Sequence, residues 1–259
     1  MFKSLKYKII IKVLICSIIG VLAISGTAYI QASKIIAQDI EDLALSKINK
    51  LSTRTQDRVL NWRTSIQILS SVDVVRNLDI NGLEKYFSKN KDIFNDFNDI
   101  FICDNGGNLK STNGRRANVT DRYYFYEAKK GQVVVSNPVI SKSSGNPVIV
   151  IASPIRNDNN SIVGVVGGTI NLSSITEMVN AEKLGNTGYA YMIDKTGLIM
   201  AHPNNEHILK ENFLEHSNEK LSKITEKMIN GEGSFDRLDL EGNDKIIFYE
   251  PVELTGWSI

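Results

Sequence analysis

DIFICDNGGNLKST, residues 99–112, and YAYMIDKTGLIMAH, residues 189–202, are the stretches on which the fold turns. Laid side by side at an offset of 90, Asp104 meets Asp194, Gly107 meets Gly197 and Leu109 meets Ile199. Each reads as an apolar strand, a turn and a second short strand. Asp accepts local backbone N–H bonds in such turns and Gly supplies positive φ. The echo continues downstream, where NPVIVIASPI (146–155) is answered by DKIIFYEPV (244–252). Pro154 and Pro251 are each expected to close an apolar strand. A further strand, Ile162–Leu172, follows the first copy, whereas only Glu253–Ile259 follows the second. The second copy is therefore expected to be incomplete at its C-terminal edge. Two matched segments in the same order imply two tandem antiparallel-sheet modules.

Upstream of the repeat the pattern is helical. Residues 31–81 contain neither Gly nor Pro. Ile36, Ile40, Leu43, Ile48, Leu51, Val59, Trp62, Ile66 and Leu69 recur mostly at steps of three or four, which draws one apolar stripe on a helix. The stripe is interrupted around Thr53–Asp57. It must pack on its own domain or on a second copy of the helix. Asn81-Gly82 is expected to end this stalk, giving a helix over 34–81, and Leu83–Asn98 reads as a shorter amphipathic helix. The fold class is α+β: a transmembrane helix, a long stalk helix and two tandem antiparallel sheets, for which the family resemblance given below implies a PAS-like topology.

The N-terminus sets the compartment. Between Lys12 and Lys34 lie 21 uncharged residues, VLICSIIGVLAISGTAYIQAS. As a helix they span roughly 30 Å, the thickness of a bilayer's hydrocarbon. Lys3, Lys6, Lys8 and Lys12 all precede the span, so 1–12 are placed in the cytoplasm and 34–259 outside the cell membrane. Gly26-Thr27-Ala28 offers a signal-peptide cleavage site, but the apolar run is longer than a usual signal core, which favours an uncleaved anchor over 13–33.

Composition narrows the function. The 259 residues carry 30 Lys+Arg against 29 Asp+Glu, and the four N-terminal lysines leave the rest of the chain slightly acidic. That lacks the basic face of a nucleic-acid binder. Two cysteines, Cys16 and Cys103, cannot build a disulfide framework. His202 and His207 are five apart with Pro203 between, unlike helical zinc ligands, and there is no GxSxG or P-loop. No enzyme, metal or cofactor is expected.

The chemically dense stretch is TDRYYFY, residues 120–126. Aromatic walls with a few fixed polar groups make small-ligand pockets, and an Arg against them is shaped to grip a carboxylate through two hydrogen bonds. The competing reading is an Asp121–Arg122 ion pair at the start of a helix, capped by Thr120 or Asp121, with the aromatics as its core face. Residues alone leave the two readings level.

The segments TDRYYFYEA (120–128), SNPVISKSSGNPVIVIASPI (136–155), GVVGGTINL (164–172), GNTGYAYMIDKTGLIMAHP (185–203) and EPVELTGWS (250–258), following a membrane anchor and a long helix, resemble a double Cache (dCache) sensor domain. The resemblance covers nearly the whole chain. It implies an extracytoplasmic ligand-binding domain of the kind found in bacterial chemoreceptors and sensor kinases, and hence transmembrane signalling such as chemotaxis. The membrane-distal module (82–175) would hold the ligand and the proximal module (176–259) would lead back to the membrane. The site residues it implies are Arg122, Tyr124 and Phe125, with Asp121, Tyr123 and Phe101 beside them. In amino-acid-binding members a Tyr and two Asp complete the site and hold the ammonium; Val139, Ser141 and Thr169 stand at those positions here. With both acids gone, the expected ligand is a small carboxylate without an α-amine, unless Lys142, Asp99 or Asp104 rewires the site. The expected partners are that ligand, the membrane and a second copy through the long helix. The alternatives are a stand-alone extracytoplasmic binding protein and an amino-acid sensor with a rewired amine site.

Overall fold

The computed structural model describes residues 5–185, 187–240 and 242–259. They fall into two compact units, Met1–Ser46 and Lys47–Ile259. One helix, α1 (Leu5–Leu69), begins in the first unit and ends in the second. Its N-terminal part is long and apolar enough to cross a membrane. Every side chain from Ile9 to Ile40 is exposed, as a lipid-facing helix requires.

In the second unit α1 behaves as a core helix. Ile48, Leu51, Val59, Trp62, Ile66 and Leu69 are buried in one apolar cluster with both sheets. The polar interruption of the stripe has a structural cause: Ser52 donates to the Pro251 carbonyl, Arg54 pairs with Glu182 at 3.0 Å, and Thr55 donates back to the Leu51 carbonyl. The helix ends at Leu69 rather than at Asn81. Two short helices, α2 (Asp73–Arg76) and α3 (Ile80–Lys89), follow. Asp79 caps α3 by accepting from the Gly82 N–H, so Asn81-Gly82 lies in a helix's first turn and breaks nothing. The stalk expected over 34–81 is corrected accordingly, and the helix expected over 83–98 shortens to α3 followed by turns.

The first sheet comprises β1 (Asp99–Asp104), β2 (Asn108–Ser111), β3 (Arg116–Asn118), then α4 (Tyr123–Lys129), β4 (Val134–Val135), β5 (Val139–Ile140), β6 (Pro147–Arg156) and β7 (Ile162–Asn171), in the order β3–β2–β1–β7–β6–β4 with β5 on β6. Next come α5 (Leu172–Asn180), the hairpin β8 (Lys183–Leu184) and β9 (Gly188–Tyr189), then β10 (Met192–Ile193) and β11 (Ile199–Ala201). The chain continues through α6 (Glu219–Ile229), the hairpin β12 (Ser234–Leu240) and β13 (Asn243–Tyr249), then β14 (Pro251–Val252) and β15 (Trp257–Ser258). The second sheet runs β11–β10–β15–β14, the same order as β2–β1–β7–β6.

The duplication extends to atoms. Asp104 Oδ1 accepts from the Gly106 and Asn108 N–H groups, and Asp194 Oδ1 accepts from the Thr196 and Leu198 N–H groups. Gly107 and Gly197 follow at φ 73° and 83°, where a Cβ would also strike Thr120 and Asn212. Register matches too: Val165 lies opposite Cys103 and Pro154, as Ser258 lies opposite Ile193 and Pro251. Two expectations change. Pro154 does not close its strand, because β6 runs on to Arg156; and the short strand of the second sheet, β15, sits between two neighbours and not at an edge.

Candidate functional site: a cleft under helix α4

Strand β1 alternates between two environments. Ile100 and Ile102 face the cluster that holds α1, whereas Phe101 and Cys103 join Leu109, Val119, Val148 and Val150 beneath α4. Burial pushes the Cys103 thiol up, so it packs as a protonated small apolar group. Gly167, paired with Phe101 on β7, lets the ring lie flat on the sheet: a Cβ there would come within 2.3 Å of Phe101 Cζ. This ring is part of the cleft wall.

Helix α4 distributes the four aromatics by its period. Tyr124 and Phe125 are buried, while Tyr123 and Tyr126 are 61% and 59% exposed. Tyr126 lies under Lys130 Nζ at 4.0 Å, and Tyr123 lies 5.5 Å from Lys195 Nζ in the β10–β11 turn. Burial also pushes the Tyr124 hydroxyl up, keeping it a neutral donor. Arg122 itself occupies the N-cap position, with no side-chain cap. Neither Thr120 nor Asp121 caps the helix, and Asp121 does not pair with Arg122. Lys142 Nζ takes Asp121 at 2.6 Å and holds its carboxyl below the usual range. Arg122 is steered by backbone instead: its Nη2 donates to the Ile140 carbonyl at 2.9 Å, and no other bond from it is made to the described residues.

Five of the eight expected residues converge. Phe101, Arg122, Tyr124, Ser141 and Thr169 line one narrow cleft of about 20 Å³, enough for a single water-sized group. Phe125 sits in the core beside it, while Tyr123 and Asp121 face away at the surface. Ser141 is occupied in its turn, with Oγ 3.0 Å from Ser143 Oγ and accepting from the Ser144 N–H. Ser143 and Thr169 are shared with an adjoining polar hollow of about 200 Å³, whose lining includes Asn98, Asp99, Asn113, Asn146 and Asn171. These asparagines lie at strand ends and turns, where Asn is read as turn chemistry, so no local signal marks them as lining residues. Of the three rewiring candidates, Asp99 lines this hollow, Lys142 is held by Asp121, and Asp104 is spent on its turn.

A second arrangement escaped the sequence reading. Arg58 on α1 grips Asp96 through Nε and Nη2 at 2.9 and 2.7 Å, and Trp62 Nε1 donates to the same carboxylate at 2.6 Å. The Arg58 guanidinium holds the Asp96 carboxyl below its usual range. Asp96 stands three residues before Asp99, so the helix clamp and the polar hollow share one short segment.

Larger hollows exist elsewhere: about 380 Å³ beside Arg76 and Arg156, and about 450 Å³ beside Tyr189, Tyr191 and Ile246. Convergent polar groups and not volume distinguish the α4 cleft. Among the described residues no three His, Cys, Asp or Glu side chains converge as metal ligands. His202 is 7% exposed, its Nδ1 accepting from the Asn204 N–H.

Residues 31–259 match the family model described as Cache domain, in its double form. The methyl-accepting chemotaxis protein PscA of Pseudomonas syringae pv. tomato is 26% identical over 228 residues, which cover 83% of this chain and 34% of that protein. The chain thus spans about a third of that relative's length. Among solved structures, the ligand-binding domain of the Pseudomonas fluorescens chemoreceptor CtaA with L-serine superposes with a TM-score of 0.67 at 18% identity, covering 86% of this chain and 96% of that one. The ligand-binding domain of the Pseudomonas aeruginosa amino-acid chemoreceptor PctB with L-Arg gives 0.63 at 18% identity, over 85% and 86%. Both likenesses are likenesses of fold. With the family model spanning everything from residue 31 onward, the chain belongs to the Cache-domain family.

Proposed function

We propose that this chain is the sensing part of a transmembrane receptor of the chemotaxis type, binding a small carboxylate in the cleft under α4. It has no catalytic role in this reading. The observation that carries it is Arg122: a guanidinium oriented by one carbonyl, its other donors unclaimed by the described residues, in a cleft whose lining also includes Phe101 and Tyr124. The chemoreceptor relatives and the amino acids held by CtaA and PctB support it.

Residues 1–12 lie in the cytoplasm, 13–33 span the membrane and 34–259 lie outside, following the lysines before the span. Residues 82–175 form the membrane-distal module. Residues 176–259 form the proximal module. Ile36, Ile40 and Leu43, each 58% exposed on one helical stripe, are the seam through which two copies pair. Ligand closure under α4 shifts the segment 96–99 and with it the Arg58–Asp96 clamp on α1. Differential affinity for two packings moves the equilibrium.

Arg122→Lys tests the site: it keeps the charge and loses the planar two-bond grip. Losing one charge-assisted hydrogen bond costs about 1.5–3 kcal/mol, so affinity falls roughly ten- to a hundredfold in titration calorimetry. Normal binding by Arg122→Lys refutes the assignment. Reporter fusions after Leu51 and Ser174 test the topology; cytoplasmic activity in both ends the receptor reading.

A further inference from the structure

The hollow of about 380 Å³ at the C-terminal end of α1 has its origin in the first sheet. β4 ends at Val134, opposite Ala152, so from Ser153 to Arg156 β6 has a strand partner among the described residues only in β7. The hollow lies along that stretch, walled also by the end of α1, by α2 and by the α4–β4 turn. Alternation along β6 puts Val148, Val150 and Ala152 beneath α4, and Ile149, Ile151 and Ile155 in the cluster around α1. Ser153 falls on the α1 face. The hollow and the α4 cleft therefore belong to opposite faces of one strand.

Its polar groups are set for an anion. Arg76 Nε donates to the Arg156 carbonyl at 3.1 Å, which brings two arginines to one wall. Arg76 also pairs with Asp158, whose side chain is 93% exposed. Arg156 Nη1 donates to the Asn160 carbonyl at 2.9 Å and so secures the β6–β7 turn. The other edge of that guanidinium, Nε and Nη2, has no partner among the described residues. This is the edge with which Arg58 grips Asp96, and it lies close over Gly131, where a Cβ would stand 2.9 Å from Nη2. Ser153 lines the hollow and is 1% exposed, and its hydroxyl makes no hydrogen bond to the described residues. Between Ile151 and Ile155 on the same face, it offers the hollow one O–H donor. No Asp or Glu is among the lining residues. The carbonyls at the end of α1 are taken: those of Ile66, Gln67, Ile68 and Leu69 accept from Ser70, Ser71 and Val72.

We infer that this hollow is a second ligand site, separate from the α4 cleft, which holds a phosphate-type oxyanion on the Nε–Nη2 edge of Arg156, with Arg76 and the Ser153 hydroxyl completing the grip. A phosphate has oxygens left for Arg76 and Ser153 once the Arg156 fork is filled, whereas a carboxylate spends both of its oxygens on the fork. The volume is that of a small-molecule site, with room for a small organic phosphate as well as the bare ion. The site stands whether or not Arg122 binds a carboxylate.

The test uses the full chain in phosphatidylcholine nanodiscs, titrated with inorganic phosphate and with glycerol 3-phosphate at an ionic strength held constant with chloride. At least one probe binds saturably, and it shifts the methyl signals of Val133, in the hollow, but not those of Val139, in the α4 cleft. Binding of inorganic phosphate marks a site for the free ion; binding of glycerol 3-phosphate alone marks a site for a phosphate carried on an organic molecule. Arg156→Lys keeps the charge, loses the fork and weakens binding about tenfold or more. Asp158→Asn, a surface change that frees Arg76 from its competing carboxylate, tightens binding about two- to fivefold and decides the matter if Arg156→Lys does not fold. Arg122→Lys leaves phosphate binding unchanged. Saturable binding of neither probe, shifts centred on Val139, or unchanged affinity in folded Arg156→Lys or in Asp158→Asn overturns the site.

Discussion

Where β1 of the first sheet carries Asp99 and Phe101, Tyr189 and Tyr191 stand at the same offset of 90, in the segment that leads into β10 of the second sheet. Downstream of them four strands correspond in order, with the paired turns at Asp104 and Asp194 and the matched prolines at 154 and 251. The side chains do not. Just before the second sheet Tyr191 packs edge-on against Phe213 at 5.3 Å, and burial pushes its hydroxyl up. The adjoining hollow is walled by Tyr189, Phe213, Leu238 and Ile246, with Asp244 and Lys245 on exposed backbone at its rim. In the first sheet the same frame presents a buried carboxylate and a guanidinium steered by a carbonyl. The difference teaches that one frame carries different side chains on the same face, and the proposed recognition rests on those few positions.

The two frames also differ in how well their strands are held, and this yields the largest expected effect. β6 is paired on both sides and buried from Val148 to Ile155, whereas β13 pairs only with β12 and is exposed from Asn243 to Lys245. Hydrogen exchange in Val148–Ala152 is expected to be slower than in Lys245–Tyr249 by roughly a hundredfold or more. Equal protection breaks the distinction between a rigid sheet and a loosely held hairpin.

The duplicated turns offer a smaller and sharper contrast. Asp194 is 3% exposed and accepts three bonds, two from Thr196 and one from Leu198. Asp104 makes similar bonds but is exposed enough for water to replace them. Asp194→Ala is expected to cost about 2–3 kcal/mol and Asp104→Ala about 1 kcal/mol in denaturant unfolding, since unsatisfied buried donors carry the larger penalty. Equal costs would show that burial does not separate the two copies.

The smallest effect concerns the clamp, which ties α1 to the turn that leads into the first sheet. The folded-state pKa of Asp96 lies below its unfolded value because of Arg58 and then Trp62. Its stabilisation is therefore complete above the ordinary carboxylate pKa of about 4 and is lost as pH falls through the lower folded value. Arg58 is 37% exposed, so Asp96→Asn is expected to cost only about 1–2 kcal/mol at pH 7 and progressively less in acid. A pH-independent difference would remove the ion pair from the account.

What the sequence disclosed follows from the range of each signal. The Asp turns, the apolar strands and the membrane-length span are local patterns, and they yielded the two similarly ordered sheets and the long apolar N-terminal helix. TDRYYFY stood out because four aromatics beside an Arg are rare, but its residues alone left a pocket and a capped helix level; Arg122 as a carboxylate grip, with Tyr124 and Phe101, came from the resemblance. The end of α1 was not, since Asp79 decides through one side-chain bond whether Asn81-Gly82 breaks a helix or starts one. Asp99 was only one of three candidate acids and bases, because its place beside the cleft depends on Thr169, 70 residues away, lying opposite it. The Arg58–Asp96 clamp likewise joins residues 38 apart, with no local signature.

The most direct measurement is methyl NMR of the full chain in nanodiscs, with the small carboxylate that binds tightest. The account predicts that Val139 and Val150, which line the cleft under α4, and Val148, which lines the Asp99 hollow, shift on binding, while Ile246 and Ile247 in the hollow of the second sheet stay in place. Shifts centred on Ile246 and Ile247, with Val139 and Val150 unmoved, would contradict it.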